Sequence, residues 1–114
     1  GSGRGRAAAR LLLNDGAAFD AVICQNDVLA RGCIEELERS GCRVPQDVAV
    51  IGHDNSPDYV SYAHPLLTSI DDNNEMLGRQ AALCLLDAIA GHPHHGVERV
   101  PVKLIQREST LPLD

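Results

Sequence analysis

Three short clusters of carboxylates and amides punctuate this sequence, and each follows an apolar run: Asn26-Asp27 after DAVICQ, Asp54-Asn55 after VAVIGH, and Asp71-Asp72 after LLTSI. A carboxylate accepts from two neighbouring hydroxyls, and a carboxamide both donates and accepts, so Asn26 and Asp54 suit a polyhydroxyl ligand. The same residues also have a purely local use: Asn26 or Asp27 can cap a helix, and Asp54 can make an Asx turn. Asp71 and Asp72 offer a paired-carboxylate acid/base site or a hard-metal site. Against those stands a solvated helix N-terminus, and the metal version lacks a third well-placed carboxylate.

The other candidates carry less. His92, His94 and His95 form the run GHPHH, and clustered histidines can bind a transition metal; with no companion ligands in sequence, a solvated Gly/Pro loop is the favoured reading. The opening GSGRG has no strand before it, which rules out a phosphate loop. No G-x-S-x-G elbow occurs, and nothing resembles an assembled nucleophile and base.

Positioning the three clusters falls to the elements around them. Residues 4–13 read as a helix with Ala7, Ala8, Leu11 and Leu12 on one stripe. Residues 20–25 read as a buried strand. A helix then runs to about Ser40, burying Ala30, Cys33, Ile34 and Leu37, with Arg31, Glu35, Glu38 and Arg39 outside and Gly41 ending it. Residues 48–52 are a second strand, entered through Pro45. A loop spans His53–Pro65, then comes the short apolar run Leu66–Ile70. A long helix covers 75–90, started by carboxylates and Asn and stopped by Gly91 and Pro93. Residues 97–106 read as a last, edge-like strand because of Pro101. Strands alternating with helices imply right-handed crossovers and a mainly parallel sheet. Ligands of such sheets bind beyond the carboxyl ends of the strands, where all three clusters fall.

Composition sets the outer bounds. A chain of 114 residues is one domain, able to bury roughly two-thirds of its unfolded surface. With 44% hydrophobic but only 3% aromatic residues, the core must be aliphatic. A formal charge of −6 argues against this segment gripping nucleic acid. There is no run of about 18 apolar residues to span a membrane, and no signal peptide is visible. Cys24, Cys33, Cys42 and Cys84 lack metal-site spacing and read as reduced thiols, mostly core filler, of a cytoplasmic protein.

The blocks DAVICQNDVLARGCIEELERSGCRVPQDVAVIGHDNSP and HPLLTSIDDNNEMLGRQAALCLL, with a terminal RES-T, resemble the effector-binding domain of the lac-repressor/gal-repressor family. The resemblance covers about residues 7–110. It implies a three-layer α/β fold with a mainly parallel sheet flanked by helices, half of a type I periplasmic-binding-protein-like fold. Residues 1–114 would be the C-terminal lobe of that domain. By the resemblance Asn26, Asp54 and Asp72 stand where family members contact effector. Two departures are Asp72, where Gln is common, and His53, where an aromatic is common. The resemblance further implies a small-molecule effector, usually a sugar, nucleoside or purine, with a sugar favoured here by the acidic site. It implies a homodimer, and operator contact only through a helix-turn-helix headpiece outside this sequence. No cofactor, metal or catalytic residue is implied. The helix over 75–90 would pack in the other lobe; alone, it should drive self-association or fold back on its own sheet.

Two other functions fit less well. A solute-binding protein of a sugar transporter shares the lobe, but four free thiols do not suit an oxidising compartment. A phospho-acceptor receiver domain would need its acidic pair before the central Asp, and here it follows.

Overall fold

The computed structural model describes residues 1–111, and the last three residues of the expected domain lie outside the described part. In chain order the elements are α1 (Ser2–Asn14), β1 (Ala21–Ile23), α2 (Asp27–Arg39), β2 (Ala49–His53), α3 (Pro57–Val60), β3 (Thr68–Asp71), α4 (Asn74–Ile89) and β4 (Lys103–Ile105). The strands make one sheet in the order β1-β2-β3-β4. The first two pairings are parallel, with Ile23 opposite Ile51 and His53 opposite Ile70; the last is antiparallel, with Asp71 opposite Lys103. This is the mixed α/β, parallel-dominated sheet flanked by helices that the alternating pattern implies.

Helix α2 buries Ala30, Cys33, Ile34 and Leu37, the face its periodicity predicts, against Val48, Val50 and Leu67. It ends in a Schellman-type turn: Gly41 takes φ 92° and the Cys42 N–H donates to Leu37 O. Helix α1 packs on α2, but not with the expected stripe. Its buried positions are Gly5 and Ala9, with Leu13 packed against the core, while Leu11 is 72% exposed. The reason is backbone proximity. A Cβ on Gly5 would lie 2.1 Å from Leu29 O, and one on Gly32 would lie 1.9 Å from Ser2 O. The two glycines let the helices touch main chain to main chain, so GSGRG is a docking surface and not a phosphate loop. Gly32→Ala should therefore lower stability by about 1–3 kcal/mol, read as a drop in denaturant midpoint. An unchanged midpoint would mean α1 is not docked as described.

Further differences from the sequence reading have clear causes. Arg31 does not cover the outside of α2; it is 3% exposed and donates to three main-chain carbonyls. Within the expected loop 53–65 lies α3, opened by Ser56 and Pro57, a start signal legible in hindsight. The N-cap of α4, Asn73, has φ 56° and makes no side-chain cap; its N–H instead donates to Asp71 Oδ1 at 2.8 Å. The last strand is only three residues long, because Pro101 offers no donor for the ladder.

The segment Arg107–Thr110 acts as a clasp. Ser109 is fully buried; its Oγ donates to Val50 O at 2.6 Å, and its N–H donates to Leu66 O while its O accepts from Val50 N. Glu108 Oε1 accepts from Leu66 N, Arg107 donates to Leu67 O and Asn55 Oδ1, and Thr110 shares a hydroxyl bond with Thr68. The terminal strip thus wedges between β2 and β3 where they diverge.

Helix α4 does not fold back onto the sheet. None of its residues is buried, Leu85 and Leu86 are 63% and 61% exposed, and the molecule extends 59 Å along its long axis. Its end is well formed, with Gly91 at φ 89° and His92 N donating to Asp87 O.

Candidate functional site

Because β1, β2 and β3 run parallel, their carboxyl ends share one edge of the sheet. Asn26, Asp54 and Asp72 all follow those ends. Asp54 and Asp72 are brought directly together by His53, the last residue of β2. Its Nε2 lies 2.9 Å from Asp72 Oδ1, and its Nδ1 lies 3.2 Å from Asp54 Oδ1. The carboxylate of Asp54 is half exposed and that of Asp72 mostly covered, with side chains 49% and 20% exposed. Asn26 follows the carboxyl end of the neighbouring strand β1, at the head of α2, where its Oδ1 accepts from Leu29 N at 2.9 Å. Capping therefore claims its oxygen, and the Nδ2 donors are what it has left to offer.

The backbone that presents Asp54 is unusual. Asp54 has φ 108° and Asn55 φ 53°, conformations that cost a non-glycine residue on the order of 1–3 kcal/mol. Three bonds hold this turn: Asp54 N donates to Ile70 O, Asn55 N to Ser69 Oγ, and Ser56 N to Asp27 Oδ2. Asp27 is the hub. Its other oxygen accepts from Ser69 Oγ at 2.6 Å, and it sits so close to Gly52 that a Cβ there would be 2.3 Å from Oδ1. Of the pair Asn26-Asp27, the first caps the helix and the second supports the rim from below.

The pair Asp71-Asp72 also divides. Asp71 accepts from Asn73 N and Asn55 Nδ2, and those bonds hold its carboxyl below the usual range. Burial pushes Asp72 the other way, with the neighbouring Asp54 adding to the rise and His53 opposing it. So Asp71 is tied up structurally and Asp72 faces the edge. The sign for each follows from linkage. Asp71 favours the folded state above the ordinary carboxylate pKa and loses that contribution as pH falls through its lowered value. Asp72 opposes folding while ionised, and the opposition is relieved as pH falls through its raised value. Titrating side-chain carboxyls by NMR should give a higher midpoint for Asp72 than for Asp71; the reverse order would overturn this division.

His53, Asp54 and Asp72 also make a group whose ligand atoms all lie within 4.8 Å of one another. Only Asp72 of the pair Asp71-Asp72 belongs to it, so it is not that pair completed by a third carboxylate. The sequence placed His53 at the start of a loop and, by the resemblance, where an aromatic is common; its place at the end of an apolar strand was the signal for more. A broad open groove lies elsewhere, between Val44, Pro45, Leu66, Arg107, Thr110 and Leu111 at the opposite edge, and holds none of the three predicted site residues.

An open α/β sheet with polar side chains gathered beyond its strand ends is a ligand-binding architecture. Comparison with known proteins makes the class specific. Residues 2–110 match the periplasmic binding protein-like domain family. The chain is 39% identical over 106 residues to the HTH-type transcriptional regulator CelR of Thermobifida fusca, covering 92% of this chain and 31% of that protein. It is 34% identical over 100 residues to the lactose operon repressor of Escherichia coli, covering 88% of this chain and 28% of that one. Among solved structures, a dimeric Lac repressor superposes with TM-score 0.87 at 32% identity over 96% of this chain and 40% of the other. A complex of the transcriptional regulator CelR with cellobiose gives TM-score 0.84 at 38% identity over 95% and 33%. The chain belongs to the periplasmic binding protein-like domain family, which its model matches over residues 2–110. It spans about a third of the length of those relatives.

Proposed function

We propose that this chain is the effector-sensing and dimerising part of a cytoplasmic transcriptional regulator, with Asn26, Asp54 and Asp72 reading the hydroxyls of a small ligand, a sugar. The observation that carries the reading is the Asp54–His53–Asp72 cluster at the carboxyl edge of a sheet that superposes on a sugar-bound regulator. The two carboxylates accept from ligand hydroxyls, His53 fixes their orientation, and Asn26 donates through Nδ2. One wall of a cleft is present here. A second lobe would close over it, and the apolar α4 would dock in that lobe, which accounts for its bare leucines. Closure on ligand would then shift a two-state equilibrium felt by a DNA-binding headpiece outside residues 1–114. The protein is a regulator and not an enzyme in this reading. The relatives named above are regulators, which favours this role over that of a transporter's solute-binding component. Among the described residues no helix is long and apolar enough to cross a membrane.

The test is operator binding by the intact protein, titrated with a panel of mono- and disaccharides. One sugar should change operator affinity at least tenfold, and Asp54→Ala should abolish that change while leaving operator binding without sugar intact. A sugar that binds without altering DNA affinity would favour the solute-binding role.

A further inference from the structure

Apart from the sheet edge, one other cluster of metal-ligating side chains stands out among the described residues. It lies where the second half of α4 meets the loop leading to β4. His94, expected in a solvated loop, is held on both sides: Nε2 lies 2.6 Å from Asp87 Oδ2, and Nδ1 lies 2.9 Å from Glu98 Oε1. The other carboxylate oxygen of Glu98 accepts from Cys84 Sγ at 3.7 Å. The ligand atoms of Cys84, His94 and Glu98 all fall within 4.8 Å of one another. Spacing explains the convergence. Cys84 and Asp87 are three apart on one face of α4, and the Gly91–Pro93 turn folds the chain back so that His94 and Glu98 face them.

We propose that Cys84, His94 and Glu98 form a binding site for a borderline divalent cation of the zinc class, with Asp87 orienting His94. One thiolate, one imidazole and one carboxylate are the donor types such a cation takes. Bonds of about 2.3 Å to sulfur and 2.0–2.1 Å to nitrogen put tetrahedral ligands about 3.5 Å apart. Water can fill the fourth position, since His94 and Glu98 are 42% and 50% exposed. Charge balances too, because a thiolate and a carboxylate neutralise a divalent ion. Asp87 completes the arrangement: its carboxylate accepts from Nε2–H, which leaves the Nδ1 lone pair aimed at the metal.

The test is cobalt(II) as a spectroscopic stand-in for zinc(II), titrated into the purified intact protein. One equivalent should bind with a thiolate-to-cobalt charge-transfer absorption, and zinc should displace it. Cys84→Ala should erase the absorption, and His94→Ala should weaken zinc binding at least tenfold. His92→Ala with His95→Ala should change neither. Asp87→Asn should keep the absorption but lower affinity about 10–100-fold, with Asp87→Glu restoring part of it. Because these side chains are exposed or half-buried, circular dichroism should be unchanged in every variant. Cobalt binding without the charge-transfer absorption, or zinc affinity equal in wild type, Cys84→Ala and His94→Ala, would overturn the site.

Discussion

Asp27→Ala should cost about 3–5 kcal/mol, a large part of the roughly 5–15 kcal/mol that holds a domain together. Asp27 is 1% exposed and accepts two short hydrogen bonds, from Ser69 Oγ and Ser56 N. Hydrogen bonds to a charged group contribute about 1.5–3 kcal/mol each, and alanine would leave a buried hydroxyl without its acceptor. Asp27→Asn should be milder, because its oxygen can still accept from Ser56 N while its amide nitrogen donates to the Ser69 hydroxyl, which can turn to accept. The effect is not confined to stability. Ser56 and Ser69 anchor the turn that holds Asp54 at φ 108°, so loosening them lets the rim relax. Urea unfolding measures the first part, and the amide spectrum of residues 53–56 the second. A variant of native stability would show that the hub is not where the strain of the rim is borne.

Arg31→Ala is the second large effect, expected at about 2–4 kcal/mol. Among the described residues no carboxylate pairs with the buried guanidinium. Nε donates to Tyr59 O at 2.7 Å, NH1 to Pro65 O at 2.8 Å and NH2 to Val60 O at 3.2 Å. Two of these carbonyls close the end of α3, where a cation also suits the helix dipole. Burial lowers its pKa, while the charges of Asp27, Glu35 and Glu38 oppose the change. Alanine removes a costly buried charge but takes the donor from Tyr59 O and Pro65 O, while Val60 O keeps its bond from Leu67 N, and it opens a cavity; the loss is the larger effect. Arg31→Lys should recover little, since an ammonium lacks the planar fork that reaches three acceptors. Thermal unfolding checks both variants; a lysine variant as stable as wild type would show that charge alone, and not the fork, is what α3 requires.

These two residues also show where sequence stops informing. The parallel sheet, the α2 face and the gathering of three polar clusters at one edge were legible. They follow from periodicity and from the rule that parallel strands end together. Asp27 was legible only as a possible cap, because its partners lie 29 and 42 residues away. Arg31 was placed on the outside of α2 by its charge, and nothing local says that three carbonyls wait for it. The docking of α1 was misjudged for a related reason: apolar stripes count side chains, while this contact is made by glycines that have none. Asp54 and Asp72, expected at the sheet edge, meet there through His53, a contact no spacing announced, and the cluster around His94 was hidden because Cys84 and Asp87 sit on α4.

The central claim is that the rim at Asn26, Asp54 and Asp72 takes a hydroxyl-rich ligand. The most direct measurement is an amide NMR titration of this chain with the same sugars used on the intact protein. With only one wall of the cleft, binding should be weak, and the active sugar should shift the amides of residues 26, 53–54 and 72 together, with Asp54→Ala removing the shifts. Shifts confined to the opposite groove around Leu66 and Arg107, with residues 26, 54 and 72 unmoved, would contradict it.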